Sequence, residues 1–228
     1  MSFATNYVGH DGQYKRNKAA GLNGWNDEAD WCAWKKQLES LFSHPSLLPK
    51  TGKLLELGCG AGEVTLFFAE RGYQVHGIDI APTAIDWAIE KAKAAGLTAQ
   101  FQLGAVTDLQ RYSDESFDIV IDGHCLHCIV GEDRKKVLSE TRRVLKPGGF
   151  LYVSTMCGEV KDPEMKPLFD PATRCILSRD GRIATRYVGK PADIVGEIET
   201  AGFTVLLQEV NDTTDYLSQD LTVHAIKK

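Results

Sequence analysis

Nine consecutive residues, Leu54 to Gly62, bring together an acid and a set of glycines in a pattern that can hold a ligand. Glu56 closes an apolar run, and Gly58, Gly60 and Gly62 follow at alternate positions. A second apolar run, Tyr73 to Ile78, ends on another acid, Asp79. The layout reads as strand, glycine turn, helix, strand, carboxylate. In a nucleotide-binding α/β unit, such glycines let the backbone approach a ligand and the second carboxylate grips a ribose.

The glycine spacing bears on which ligand. A dinucleotide loop has a third glycine where this chain has Glu63, which would set a carboxylate against a pyrophosphate. No Lys follows Gly62, so the triphosphate-binding loop is absent as well.

A second group of reactive side chains lies between Asp122 and Cys128, where His124 and His127 alternate with Cys125 and Cys128. Either imidazole is a candidate general base. The same run has the composition of a metal site. However, ligands packed this closely do not converge easily on one tetrahedral ion, and Cys157 and Cys175 would have to supply the other half. No metal is expected. A soft thiol or metalloid acceptor stays open on these cysteines, whereas a thioredoxin-like pair would follow the first strand. Cys59, between two glycines, is expected to pack rather than react. Lys161, Lys166, Arg174, Arg179, Arg182 and Arg186 form a basic group in the tail. It could bind an anionic acceptor, with Arg174 and Arg182 as candidate contacts, or simply solvate a hairpin. Tyr14 and Trp25 are candidate lids over the site, while the helical spacing of Trp31 and Trp34 favours core packing. His76, inside a strand, is expected to be structural.

The elements that must position these groups are legible in the hydrophobic pattern. Residues 1–24 are polar and glycine-dotted and read as an arm, flexible or ordered by ligand. From Asn26 to Phe42, Trp31, Trp34, Leu38, Leu41 and Phe42 recur at helical spacing, and Pro45 should end that helix. Strands are expected at Lys53–Leu57, Tyr73–Ile78, Thr98–Leu103, Phe117–Ile121 and Phe150–Thr155. Helices lie between them at Glu63–Arg71, from Pro82 to Gly96 with Ile85, Ala88, Ile89 and Ala92 inward, and at Glu132–Leu145. This alternation implies a doubly wound, Rossmann-like α/β sheet. The tail departs from it. Arg174–Ser178 and Arg182–Tyr187 flank Asp180-Gly181, a hairpin signal. A helix at Ala192–Ala201 and strands at Phe203–Val210 and Leu221–Ile226 follow. The hairpin, within an insertion at about 157–190, emerges where strands end and is a candidate lid.

The 228 residues suffice for one such domain, and 43% hydrophobic with 25% charged residues is ordinary for a globular protein. A net charge of -5 provides no basic field for nucleic acid or anionic membrane. No run approaches the ~20 apolar residues of a membrane span. The first 24 residues lack the apolar run of a secretory signal, so six cysteines suggest reduced thiols in a cytoplasm.

The motifs then coincide. Glu56 to Gly62 resembles motif I of the class I S-adenosylmethionine (SAM) dependent methyltransferases. Asp79 resembles their ribose carboxylate. Ser116-Phe117-Asp118, Leu126-His127, Leu145 to Gly149 and Gly202-Phe203 resemble later family signatures, in the family's order over residues 50–228. The resemblance implies a seven-stranded sheet with the last strand antiparallel, SAM as methyl donor, S-adenosylhomocysteine as product, and a small-molecule acceptor at O, N or S. It implies cofactor contacts from Glu56, Gly58, Cys59, Gly60, Gly62, Asp79, Ile80, Ala105, Val106 and Asp122. Residues 1–45 would form an arm and cap, and residues 46–228 the SAM-binding domain. The family's acid directly after strand three is missing, so adenine would be read by the backbone near Val106 or by Asp108. Two other classes remain open: a SAM-binding sensor without turnover, and a nicotinamide oxidoreductase, which Glu63 disfavours.

Overall fold

The computed structural model describes residues 3–43, 48–212 and 218–228. Its frame is a seven-stranded mixed sheet. In chain order the elements are helices α1 (His10–Ala19) and α2 (Glu28–Leu41), then β1 (Lys53–Leu57), α3 (Glu63–Ala69), β2 (Gln74–Asp79), α4 (Pro82–Ala95), β3 (Gln100–Leu103), β4 (Phe117–Gly123), α5 (Glu132–Val144) and β5 (Leu145–Cys157). Three short strands, β6 (Phe169–Asp170), β7 (Cys175–Leu177) and β8 (Ala184–Tyr187), form a separate antiparallel sheet. Helix α6 (Pro191–Thr200) and strands β9 (Phe203–Asp212) and β10 (Gln219–Lys227) complete the chain. The main sheet runs β3-β2-β1-β4-β5-β10-β9. β10 is antiparallel to both neighbours, and the first five strands are parallel.

Alternation along β1 assigns the two faces. Leu55 and Leu57 enter a core built with Val137, Leu138 and Val144 of α5 and Ile194 and Ile198 of α6. Leu54 enters the opposite core with Leu38 and Leu41 of α2 and Phe67 and Phe68 of α3. Glu56 therefore points to the second face, at the end of its strand, under α3. The chain moves outward from β1 to β3 and then returns to β4 on the other side of β1. That reversal leaves a crevice beyond the strand ends, where such sheets bind ligands.

Several elements differ from the sequence reading. Residues 10–19 form a helix rather than an irregular arm. Its order comes from polar groups: Asp11 Oδ1 accepts from the Thr83 N–H at 2.8 Å, capping α4, and Asn17 Nδ2 donates to the carbonyls of Gly24 and Trp25 at 2.9 and 3.0 Å. On α4, Ile85, Ala88 and Ala92 are buried but Ile89 is 49% exposed. Trp87 turns inward instead, joining Tyr14, Ala61, Ala81 and Ala84 between α4 and α1. Pro45, the expected end of α2, lies outside the described residues, and the helix closes at Leu41. β5 begins at Leu145, before the Pro-Gly-Gly turn, with a register shift against β4 that absorbs it. The hairpin turn forms at Ser178–Gly181, where the Gly181 N–H donates to the Ser178 carbonyl at 2.8 Å, and β6 extends the expected pair to three strands. Among the described residues no helix is long and apolar enough to cross a membrane.

Candidate active site

A cavity of about 620 Å³ opens at the crevice between the ends of β1 and β4. One end is the glycine turn after β1. Gly58, Gly60 and Gly62 all take left-handed φ angles, of 64°, 51° and 85°. Gly60 has a second requirement besides its φ: a Cβ there would lie 2.4 Å from the Tyr14 hydroxyl. At Gly58 a Cβ would lie 2.7 Å from the Cys125 side chain. The turn thus presents bare backbone to the cavity. Gly62 serves differently. It precedes α3, packs against Phe101 and Ala88, and does not line the cavity.

The two acids of the motif are both buried. Glu56 is only 3% exposed and accepts from the Thr65 hydroxyl, and burial raises its pKa well above the carboxylate range. Asp79 Oδ2 accepts from the Gly60 N–H at 2.9 Å and Oδ1 from the Ala81 N–H at 2.8 Å. Asp79 therefore fixes the glycine turn and the approach to α4 together, while its edge lines the cavity beside Ile80. Burial raises its pKa. Ala105, Val106 and Thr107 form the adjoining wall. Asp108 does not contribute there: it is exposed, and its carboxylate accepts from the Gln110 N–H at 3.2 Å. Glu63 lines the cavity, but it is paired with Lys91, so its charge is not the free repulsive group the sequence suggested.

The other end carries the imidazoles. Asp122, at the end of β4, accepts from the N–H groups of Cys125 at 3.0 Å and Leu126 at 3.1 Å. It holds the short turn Leu126–Cys128 from behind and does not line the cavity. Its Oδ2 has no hydrogen-bond partner among the described residues. Burial moves its pKa up to about 6, against the two backbone donors. His124 has a left-handed φ of 71°, uncommon for a residue with a side chain. His127 stands 5.5 Å away, ring centre to ring centre, buried and held neutral by that burial. Both line the cavity with Cys125 and Cys128. Burial raises the thiol pKa of Cys125, and that of Cys128 to about 11, so neither is a ready thiolate. Cys59 packs on β2, where a Cβ at Gly77 would meet its sulfur at 2.7 Å. Cys157 and Cys175, which a metal site would need as its other half, do not line the cavity. Among the described residues no three His, Cys, Asp or Glu side chains are grouped to hold a metal.

The lining also shows which outlying residues belong here. Tyr14 and Trp25 meet edge to face at 5.2 Å over the glycine turn. Trp31 and Trp34 line the cavity as well as packing on the core, because α2 is tied over the sheet: Gln37 donates to the hydroxyls of Tyr152 and Thr222, each at 2.9 Å. Of the basic group only Arg186 reaches the cavity. Arg174 is spent on the carbonyls of Val188 and Gly158, and Arg182, its side chain 81% exposed, pairs with Asp180 at the hairpin turn. Neither lines the cavity, whose rim is instead acidic, with Asp27, Glu28, Asp30 and Asp212.

Sequence reasoning missed Asp220, Ser154, Met156 and His10. His10, Met156 and Asp220 line the cavity. Ser154 donates to Asp220 Oδ2 at 2.7 Å, and His124 Nε2 lies 3.2 Å from Ser154 Oγ and 3.5 Å from Asp220 Oδ1. The alternation Asp220-Leu-Thr-Val-His-Ala along β10 places Asp220, Thr222 and His224 on one face, and was the available signal.

Comparison with known proteins agrees with this architecture. Residues 55–153 match the family model described as "Methyltransferase domain". A "Ubiquinone biosynthesis O-methyltransferase" of Idiomarina loihiensis is 34% identical over 110 residues, 48% of this chain and 44% of that protein. A "2-heptyl-1-hydroxyquinolin-4(1H)-one methyltransferase" of Mycobacteroides abscessus is 31% identical over 132 residues, 56% of this chain and 58% of that protein. The chain thus spans about half the length of these relatives. Among solved structures, the Burkholderia thailandensis 1,6-didemethyltoxoflavin-N1-methyltransferase, with its substrate and S-adenosylhomocysteine bound, superposes with a TM-score of 0.70 at 19% identity. It covers 96% of this chain and 86% of that one, a likeness of fold.

Proposed function

Because the chain carries a methyltransferase domain of the class I SAM-dependent family, we propose that it transfers the methyl group of SAM to a small-molecule acceptor bound in the same cavity. The observation that carries this reading is the division of that cavity. Its glycine end offers bare backbone and the edge of a buried acid, while its other end offers two imidazoles among aromatic rings.

The residues fit the cofactor. Gly58 and Gly60 line the cavity and have no room for a Cβ against Cys125 and Tyr14, so bare backbone stands beside the space a ligand would take. Glu56, Gly58, Cys59 and Gly60 would hold the methionine portion, Asp79 and Ile80 the ribose, and Ala105 and Val106 the adenine. Gly62 and Asp122 would act from behind, by starting α3 and by holding the turn that carries the imidazoles. Bound SAM would supply an electrophilic methyl carbon with an excellent leaving group. The chain's part is then alignment and exclusion of water. Tyr14 and Trp25 over one end, with Trp31 and Trp34 over the other, would provide that exclusion. Residues 1–45 act in this reading as a cap on the domain formed by residues 46–228.

The acceptor is read as a small molecule, supported by the aromatic side chains of Tyr14, Trp25, Trp31 and Trp34 in the cavity wall, the acidic balance and relatives whose names point to small substrates. An acidic rim disfavours anionic acceptors and nucleic acid alike. Six free thiols suit work in the cytoplasm.

The test is calorimetric titration of the purified chain with SAM, S-adenosylhomocysteine and NAD, alongside Asp79→Ala. Binding of the first two is expected. Loss of charge-assisted hydrogen bonds in the variant should weaken it by about 10- to 100-fold, corresponding to about 1.5–3 kcal/mol. Circular dichroism would show that the variant keeps its fold. Binding of NAD alone, or of none of the three, would overturn the reading.

A further inference from the structure

We propose that Ser154 and Asp220 lock His124 into one tautomer, with the Nδ1 lone pair free to take a proton, and that the acceptor is a neutral ring hydroxyl. The inference rests on the methyl-transfer reading above and specifies its acceptor.

The tautomer follows from counting hydrogens. Ser154 has one hydroxyl hydrogen, and it goes to Asp220 Oδ2 at 2.7 Å. Ser154 Oγ can then only accept from the His124 Nε2 that stands 3.2 Å away. Asp220 Oδ1, at 3.5 Å from the same Nε2, favours the proton there too. Nε2 thus carries the hydrogen. Nδ1 keeps its lone pair, and no group of the described residues hydrogen-bonds to it. The backbone holds the ring in place as well: the His124 N–H donates to the Ser154 carbonyl at 2.9 Å, and Trp34 meets the ring edge to face at 5.6 Å. The carboxylate behind the ring would stabilise the imidazolium that forms when Nδ1 takes a proton.

A base so placed matters only for an acceptor that keeps its proton until attack. The surroundings narrow the choice further. Trp31, Trp34, Ile129 and Met156 give this end apolar walls, which suit an uncharged ring. Acidity supplies the last constraint. A phenolic hydroxyl, with a pKa of about 10, gives up its proton to a neutral base far more readily than an alkyl hydroxyl does. An alkyl hydroxyl, close to water at about 15.7, holds its proton too tightly for a neutral side-chain base. In the step proposed, the acceptor oxygen forms a bond to the methyl carbon as the carbon–sulfur bond breaks, and that electron pair stays on sulfur. The hydroxyl proton moves to His124 Nδ1 and leaves to water after the product departs.

Two measurements test this, with Asp220→Asn and Ser154→Ala compared against the unaltered chain. The first needs no cofactor: 15N chemical shifts of the His124 imidazole should show the Nε2–H tautomer in the unaltered chain and a mixture in Ser154→Ala. An Nδ1–H tautomer in the unaltered chain would overturn the proposal. The second uses a panel of phenols and hydroxyquinolines of graded acidity, with amines and thiols as controls. Asp220→Asn should lower kcat by about 10- to 100-fold on weakly acidic hydroxyls. The defect should shrink toward none on hydroxyls already ionised at the assay pH, while SAM affinity stays the same. A uniform defect across the panel would show a structural role only and overturn the proposal, leaving methyl transfer intact. Turnover confined to amines or thiols, or no turnover on ring hydroxyls while SAM binds, would remove the acceptor class. Loss of SAM binding by the unaltered chain would instead fall on the methyl-transfer reading.

Discussion

Asp122 gives a test in which the structure sets sign, size and pH range. Its carboxyl is buried, accepts from two N–H groups through Oδ1 and meets no partner through Oδ2 among the described residues. Burial raises its pKa from 3.8 to about 6. A raised acid favours its neutral form in the folded chain. Its contribution to stability is therefore full below the unfolded pKa and is lost as pH rises through the folded one. The whole loss is about 3 kcal/mol, from about 2.2 pH units at about 1.36 kcal/mol each. Roughly 2 kcal/mol of it falls between about pH 4.5 and 7.5. In Asp122→Asn the amide oxygen keeps the two N–H groups and nothing titrates. Its NH2 replaces an oxygen that also lacked a partner, so the two chains should be within about 1 kcal/mol of each other at the acid end. Urea denaturation at both pH values should then show the variant gaining on the parent by about 2 kcal/mol from low to high pH. A difference that does not change with pH, or that moves toward the parent, would refute the burial argument.

Three further outcomes follow from other contacts. Gly60→Ala sets a Cβ 2.4 Å from the Tyr14 hydroxyl at a left-handed φ; a loss of about 1–2 kcal/mol from the backbone alone should appear in thermal melts, with weakened SAM binding in calorimetry. Arg134→Ala removes a buried guanidinium that donates to the carbonyls of Leu126 and Ile129 and pairs with Glu197. Urea denaturation should show a loss of about 1–3 kcal/mol, since the two buried carbonyls lose a charged donor while Glu197, 30% exposed, is left to water. Asp11→Ala deletes the α4 cap and the pair with Lys15. It should cost about 1 kcal/mol at neutral pH and less in acid, because a depressed carboxylate pKa contributes above its unfolded value and loses that contribution as pH falls.

The parts legible in the sequence were those whose signal is local. Apolar runs gave the strands of the parallel sheet, and the spacing of Gly58 and Gly60 with Glu56 and Asp79 marked one end of the cavity. Helix α1 escaped because its order is not hydrophobic: Asp11 and Asn17 act by capping α4 and holding the Trp25 loop. Ser154 and Asp220, 66 residues apart, meet only because β10 returns antiparallel beside β5. Their relation to His124 belongs to register, which no local spacing encodes. Arg174 and Arg182 misled for the converse reason. Charge clustered in sequence was divided by the hairpin between carbonyl contacts and solvent, and only Arg186 faced inward.

The most direct test of methyl transfer is a label experiment. The purified chain would be incubated with SAM labelled in its methyl group and with ring-hydroxyl, amine and thiol acceptors, and label and S-adenosylhomocysteine would both be counted. The account predicts label in an acceptor, equal in amount to the S-adenosylhomocysteine formed, and strongly reduced by His124→Ala. Tight binding of SAM with no label passing to any acceptor would contradict it, and would make the chain a SAM-binding protein without turnover.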